Sequence, residues 1–163
     1  MAESGANTLL VEADLRKPTL AAPFGIDESD GLSLFLSGHT TTPRICETEQ
    51  ANLFIAPAGP RPPNPVALLN SERMATFIKQ MSSSFRFVLL DTPPVLAVAD
   101  ARIMGAQADG LVLVSRARKT SKKEIQRARM ILQNSGINVL GLILNDADGE
   151  DLKRVFASYY AAI

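Results

Sequence analysis

Four short, almost continuous apolar runs constrain the fold of this chain more than any other feature of its sequence. They are Thr8–Val11, Phe87–Leu90, Gly110–Val114 and Val139–Leu144. A strand that is exposed on one face alternates apolar and polar residues, whereas a strand of a parallel sheet is buried on both faces and is apolar throughout. The runs therefore predict strands inside a mostly parallel sheet.

Amphipathic stretches separate these predicted strands. Ser71–Met81 places apolar residues at helical spacing behind a capping serine, and Thr120–Asn134 does so behind a possible capping box. Residues 31–65 are less regular, with a short helix, a strand at Asn52–Ala56 and the proline-rich loop PAGPRPPNP, which we expect to be ordered. Strands that alternate with helices predict one three-layer α/β domain over residues 1–163.

Composition limits the classes of function that stay open. The chain carries 17 Lys and Arg against 17 Asp and Glu, so no net positive charge favours nucleic acid or a membrane surface. A single cysteine, Cys46, excludes an internal disulfide framework and fits a reducing compartment. No apolar run approaches the ~20 residues of a membrane span, and residues 1–8 lack the pattern of a signal peptide. We expect a cytoplasmic protein.

Carboxylates follow two of the predicted strands directly. Glu12 and Asp14 come after the first run, and Asp91 comes after the second. Ligands of open α/β sheets bind beyond the carboxyl ends of the strands, where an unpaired carboxylate is costly unless a metal is near. Mg²⁺ is held by one or two carboxylates and by substrate phosphates. We therefore expect a magnesium–nucleotide site, in which Arg16 pairs with the acids or with phosphate. Each acid taken alone could equally be a solvated loop residue or a helix cap.

The order of longer motifs resembles one family. LLVEADLRKPTL is similar to the second Walker motif, and FVLLDTPPVLAVADA to the Walker B segment, of the bacterial tyrosine kinases of capsule and exopolysaccharide export. Between them, PAGPRPPNPVALLNSERM resembles a connecting segment typical of that family. The resemblance extends in order from about residue 5 to residue 146. The wider class is that of the MinD- and ParA-like deviant P-loop ATPases.

The resemblance implies roles for individual residues. Asp14 and Asp91 match the metal-binding and catalytic carboxylates of the family. Glu12 is a catalytic carboxylate at a position where the family usually has aspartate. Its additional methylene changes the geometry in which this carboxylate would act as a base. Asn145 matches an asparagine that contacts adenine, and Arg16, which can pair with phosphate, is expected to join it in binding the cofactor. The implied cofactors are ATP and Mg²⁺.

The resemblance also implies an activity and partners. The family phosphorylates tyrosines on neighbouring copies of the kinase and thereby regulates polysaccharide polymerisation and export. Its activator is a membrane-spanning co-polymerase, which implies a location at the inner face of the plasma membrane. The phospho-accepting tyrosine cluster corresponds here to Tyr159 and Tyr160, which could equally be aromatic residues that pack a terminal helix.

The phosphate-binding loop of that family does not occur in this sequence. The loop reads G-x-x-x-x-G-K-[ST], and the strings at Gly105–Gly110 and Gly136–Gly141 lack its lysine and its hydroxyl residue. Only residues 1–7 precede the first predicted strand, where the family has a strand, this loop and a helix. We therefore expect a chain that is truncated at its N-terminus, with an exposed sheet edge that favours poor solubility or self-association.

Two other functions stay open at this point. A MinD- or ParA-type ATPase of positioning or partitioning has the same motifs, but the proline-rich segment and the tyrosine pair count against it. A non-catalytic interaction module could keep the fold without binding nucleotide. The nucleotide sequence just upstream of the Met1 codon distinguishes these possibilities, because an in-frame phosphate-binding loop motif there would show that the chain is a fragment.

The missing loop generates a prediction for the chain by itself. Without the loop lysine and its cradle of backbone N–H groups, stabilisation of phosphoryl transfer is largely lost, so we expect negligible ATP binding and kinase activity. Calorimetric titration of the purified chain with ATP checks this, and a micromolar affinity would contradict it.

Overall fold

The computed structural model describes residues 1–149. Tyr159 and Tyr160 lie outside the described residues. The chain divides into two compact units, the first over residues 1–107 and the second from Ala108 onward. Both are α/β arrangements with parallel strands, as the sequence predicts, whereas a single domain over the whole chain stays a prediction. None of the helices described over residues 1–149 combines the length and the apolar character that a membrane span requires.

The first unit contains a four-stranded sheet in the order β2–β3–β1–β4. Strand β1 is parallel to both β3 and β4, and β2 is antiparallel to β3. Each strand predicted in this unit lies within a residue of its observed bounds. The elements in chain order are a 3₁₀ turn (Ala2–Ser4), β1 (Thr8–Glu12), a second 3₁₀ turn (Ala22–Phe24), α1 (Leu32–Leu36), β2 (Cys46–Glu47), β3 (Leu53–Ala56), α2 (Pro65–Leu69), α3 (Glu72–Ser84), β4 (Phe87–Asp91) and α4 (Asp100–Gly105).

Strand β1 lies at the centre of the first unit's core. Leu9 and Val11 have no exposed surface, and they belong to one cluster with Met74 and Phe77, which α3 presents at helical spacing. The other residues of β1 are buried or half-buried too. Burial on both faces explains why this strand is an uninterrupted apolar run, because any polar side chain inside it would lose its hydration.

The second unit, as far as it is described, is a strand–helix–strand arrangement. It consists of β5 (Leu111–Arg116), α5 (Lys122–Asn134) and β6 (Val139–Asn145), and the two strands are parallel. Helix α5 begins with the predicted capping box. The Glu124 N–H donates to the Ser121 hydroxyl at 3.2 Å, and the Glu124 carboxylate accepts the Ser121 N–H at 2.8 Å.

Burial in the second unit differs from the expectation. Leu140 is 66% exposed and Val114 is 60% exposed, and every residue of β6 after Val139 is exposed. The prediction that all four runs are buried on both faces is therefore wrong for β6, and also for the face of β5 that carries Val112 and Val114. Among the described residues of this unit, one helix packs on a two-stranded sheet, and one helix cannot cover both faces. The poor solubility expected from exposed apolar surface stays a prediction.

Helix α1 is bound to the proline-rich loop. Its first two N–H groups donate to the carbonyls of Pro57 and Ala58 at 2.8 Å each, and the Ser33 hydroxyl donates to the carbonyl of Pro60 at 2.6 Å. These bonds satisfy donors that a helix N-terminus cannot pair internally. They fix the loop as an ordered connection, as the sequence predicts.

This contact depends on a close approach of two backbones. A Cβ atom at Gly31 would lie 2.4 Å from both the Gly59 nitrogen and the Pro57 carbonyl oxygen. We expect Gly31→Ala to lower the free energy of unfolding by about 2–3 kcal/mol, because backbone atoms must shift. Urea unfolding measures the loss. Gly141→Ala is the control, since nothing lies within 4 Å of its Cβ position; equal effects at the two sites would contradict the close approach.

Candidate functional site

The parallel register of β1 and β4 brings the predicted carboxylates to one edge of the sheet. Glu12, the last residue of β1, lies opposite Asp91, the last residue of β4. Beyond this pair, the Ala13 N–H donates to the carbonyl of Asp91 at 2.8 Å, and Asp14 follows directly. The acids interact electrostatically, because the charge of Asp14 raises the pKa of both Glu12 and Asp91. Two segments far apart in sequence thus form one acidic edge.

Asp91 is held in an environment that disfavours its charge. Partial burial raises its pKa above the ordinary value of 3.8, and the negative charge of Asp14 raises it further. One backbone hydrogen bond, to Thr92, acts in the opposite direction. A carboxylate with this imbalance gains free energy from any cation that comes to the same edge.

Glu12 is fully buried and only partly hydrogen-bonded. Its Oε2 accepts the N–H of Thr19 at 3.0 Å and also the N–H of Leu20. Its Oε1 is buried and has no hydrogen-bond partner. Burial raises the pKa of Glu12 more than these two backbone hydrogen bonds lower it, and the charges of Asp91 and Asp14 add to the increase. The glutamate thus ties the chain after β1 back to the end of that strand.

Asp14 shapes the same loop from outside. Its Oδ1 accepts the N–H groups of Arg16 at 3.0 Å and Lys17 at 2.9 Å, which is the pattern of an aspartate-stabilised turn. Both bonds use the same oxygen, so the carboxylate is bound to its own loop through one side.

The structure gives Arg16 a partner that the sequence does not reveal. Its Nε donates to Asp100 Oδ2 at 2.8 Å, and its Nη2 donates to Oδ1 at 3.1 Å. Asp100 is fully buried at the start of α4. The hydrogen bonding of Arg16 to the Asp100 carboxylate is the main reason why the pKa of Arg16 is raised. The expected pairing of Arg16 with Glu12 or Asp14 is therefore wrong, whereas its contact with a nucleotide stays a prediction.

Asp100 is thus a site residue that sequence reasoning missed. The signal was present, because an aspartate within the apolar stretch LAVADA must find a partner if it is buried. What could not be read from the sequence is which cation, 84 positions earlier, supplies it. The pair fixes the loop after β1 against α4.

Asn145, predicted to contact adenine, belongs to the second unit. It is the last residue of β6, and its Oδ1 accepts the N–H of Asp146 at 2.8 Å. Its carbonyl accepts the Ala117 N–H at 2.8 Å. It therefore stands at the carboxyl end of its own strand, and its role stays a prediction.

The acidic edge fits the part that a protein supplies to Mg²⁺. Magnesium binds through one or two carboxylates and keeps water or phosphate oxygens as its other ligands. Asp14 and Asp91 provide such a pair, and their mutual repulsion favours a cation. Over residues 1–149, no group of three or more His, Cys, Asp or Glu side chains forms a complete metal-binding cluster. The edge can contribute to a magnesium site, and other ligands must complete it.

Solved structures define the class of the fold. The cell-division ATPase MinD of Pyrococcus furiosus superposes with a TM-score of 0.73 at 22% identity, over 96% of this chain and 69% of that one. The chimerical protein CapA2B2 superposes with a TM-score of 0.85 at 33% identity, over 90% of this chain and 65% of that chain. The fold is therefore that of the MinD-like P-loop ATPases.

Closer relatives define the family within this class. The VpsO kinase domain has a TM-score of 0.83 and 31% identity, over 89% of this chain and 72% of that domain. The tyrosine-protein kinase YwqD of Bacillus subtilis is 38% identical over 145 residues, which are 88% of this chain and 61% of YwqD. The chain belongs to the bacterial tyrosine kinases. It spans less than two thirds of the length of YwqD. No protein-family model matches it.

The two roles of Glu12, loop anchor and buried charge, can be separated by substitution. Glu12→Ala leaves two backbone N–H groups without an acceptor and should lower the free energy of unfolding by about 2 kcal/mol. Glu12→Gln keeps an acceptor oxygen and removes the charge, so it should have a higher melting temperature than the wild type at pH 7.

The sign of the pH dependence follows from the raised pKa. The folded protein holds the Glu12 proton more tightly than the unfolded chain, so this group stabilises the fold at low pH. That stability is lost as the pH rises from about 4.5, the ordinary value, through the folded pKa. The raised pKa of Asp91 gives a pH dependence of the same sign, and it is present in both the wild type and Glu12→Gln. The melting temperatures of the wild type and Glu12→Gln should therefore differ at pH 8 and become more similar as the pH falls to 4. Two parallel curves would contradict a raised pKa of Glu12.

Proposed function

We propose that this chain contributes the carboxylate side of the ATP site of a protein-tyrosine kinase that phosphorylates neighbouring copies of itself. In this proposal the kinase regulates polymerisation and export of a capsular or exported polysaccharide. The observation that carries it is the parallel register of Glu12 with Asp91, which places the acidic edge where α/β nucleotide-binding sheets hold their ligand.

The chemistry of the proposed site divides between its residues. Asp14 and Asp91 would hold Mg²⁺, which neutralises charge on the ATP phosphates when bound. Glu12 has one oxygen bound to the loop and the other, Oε1, without a partner. We propose Glu12 as the base that accepts the proton of the attacking tyrosine hydroxyl, for which a raised pKa is favourable. Because Oε1 is buried here, this role requires Oε1 to become exposed when the substrate binds.

Arg16 and Asp100 act through position. Their pair holds the loop that carries Asp14, so that this carboxylate stays at the edge when substrate and product exchange. Asn145 is proposed to contact adenine. Tyr159 and Tyr160 are proposed as phospho-acceptors for a neighbouring subunit.

Partners and location follow from the same proposal. The phosphorylated groups belong to neighbouring copies, so the working form is a homo-oligomer. The activator is a membrane-spanning polysaccharide co-polymerase, which would hold the kinase at the cytoplasmic face of the plasma membrane. The kinase is favoured over a MinD-type positioning ATPase because YwqD is 38% identical to this chain and MinD is 22% identical.

The test uses the gene at its own locus. We expect Asp91→Asn to reduce the phosphotyrosine of this protein about 100-fold or more, because removing a group that stabilises transition-state charge costs this much. Anti-phosphotyrosine immunoblots measure it, and the size distribution of the exported polysaccharide should change in parallel. Glu49→Gln removes an exposed acid elsewhere and should leave both readouts unchanged. Unaltered phosphotyrosine in Asp91→Asn would refute the proposed role of the acidic edge.

A further inference from the structure

The second unit carries a dense group of cations. Between Arg116 and Arg129 there are seven Lys and Arg and one carboxylate, Glu124. Arg116 pairs with Asp146 at 2.8 Å, and Arg118 pairs with Asp148. The Glu124 carboxylate is occupied by the capping box. The remaining cations have no salt bridge within residues 1–149, and we call them the basic surface: Lys119, Lys122, Lys123, Arg127 and Arg129.

Helical geometry turns three of these cations outward. Ala128 and Leu132 are the buried residues of α5. At 100° per residue, Lys122, Lys123 and Arg127 lie on the side away from that buried face. All five cations of the basic surface are exposed. Met130 lies among the outward residues and is 58% exposed. The outer side of α5 is therefore a row of cations around one apolar side chain.

The fold gives no reason for this arrangement. The N-terminus of a helix carries a partial positive charge, so lysines in the first turn of α5 are unfavourable there. Neighbouring cations also repel one another, and Glu124, the one carboxylate among them, is engaged by the capping box. An anionic partner removes both costs.

We propose that the basic surface binds the anionic headgroups of a lipid membrane. Lys122, Lys123 and Arg127 project from α5 on long flexible stems, with Lys119 in the turn just before the helix, and they do not converge on a pocket. This suits a plane of many headgroups better than a single phosphate group. An exposed methionine among them can enter the boundary between headgroups and acyl chains, and the cationic stems can extend around it. The inference uses no residue of the acidic edge, so it can fail or succeed independently of the proposed kinase activity.

Vesicle sedimentation tests the electrostatic part. Each Lys or Arg near an anionic bilayer contributes about fivefold to partitioning, so Lys122→Gln/Lys123→Gln/Arg127→Gln should weaken binding to phosphatidylglycerol vesicles about 100-fold. The control Arg61→Gln/Lys79→Gln/Arg86→Gln changes net charge equally at exposed sites of the first unit and should bind like the wild type. Binding should also fall steeply with salt, and pure phosphatidylcholine vesicles should not bind.

Tryptophan fluorescence tests the orientation. The chain contains no tryptophan, so Met130→Trp introduces a single reporter on the basic surface. Its emission should shift to the blue with anionic vesicles and be quenched by brominated lipid. Phe24→Trp places the reporter on the first unit at a residue that is 41% exposed, and should show neither change.

Three results would overturn the proposal. The first is equal loss of vesicle binding in the two triple variants. The second is binding to neutral vesicles as strong as binding to anionic ones. The third is a concentration-dependent self-association in sedimentation velocity, without lipid, that the α5 triple variant abolishes, together with no vesicle binding by the wild type; this result would identify a second copy of the chain as the occupant. Circular dichroism verifies that each variant keeps its helix content.

Discussion

The pairing of β1 with β4 is the constraint on which the rest of the candidate site depends. The strands are parallel and in register, so their last residues, Glu12 and Asp91, lie opposite each other. Side chains alternate between faces along a strand, and a slip of one residue would therefore turn one of these acids to the other face of the sheet. The side chains of Leu9 and Val11 oppose that slip, because it would remove them from the cluster that they form with Met74 and Phe77. Packing of an apolar strand thus fixes the position of charged groups.

The acidic edge destabilises the fold. Glu12 is fully buried with one oxygen unpaired, and burial raises the pKa of Asp91 as well. The chain offsets part of this cost locally, because backbone N–H groups of the loop after β1 donate to Glu12 and to Asp14. Buried carboxylates that repel each other are weak evidence for stability and better evidence for a cation that binds there. The carboxylates of the site thus lack a compensating positive charge among the described residues, while the loop that holds them has its backbone N–H groups hydrogen-bonded.

How much the sequence predicts depends on the range of the interaction. The strand at Thr8–Val11 was predictable because burial on both faces dictates an apolar run, and the capping box at Ser121 was predictable because its groups are three residues apart. The partner of Arg16 was not predictable, since Asp100 is 84 residues away and only tertiary packing brings it close. The exposure of β6 was missed for the same reason. An apolar run indicates that a strand is suited to burial, but it does not indicate which element covers the strand.

Net charge also conceals what matters here. The sum of zero excludes a global field, and on that ground alone a membrane surface is not favoured as a partner. Electrostatic binding depends on the local density of charge within a Debye length, which is about 8 Å at physiological salt. The first unit holds the acidic edge, while the second holds the basic surface on α5. Charges that cancel over the whole chain do not cancel at such distances along either surface. A neutral protein can therefore present one surface that attracts cations and another that attracts anions. The role proposed for Asp91 in binding a cation is thus compatible with the role proposed for Lys123 in binding anionic lipid.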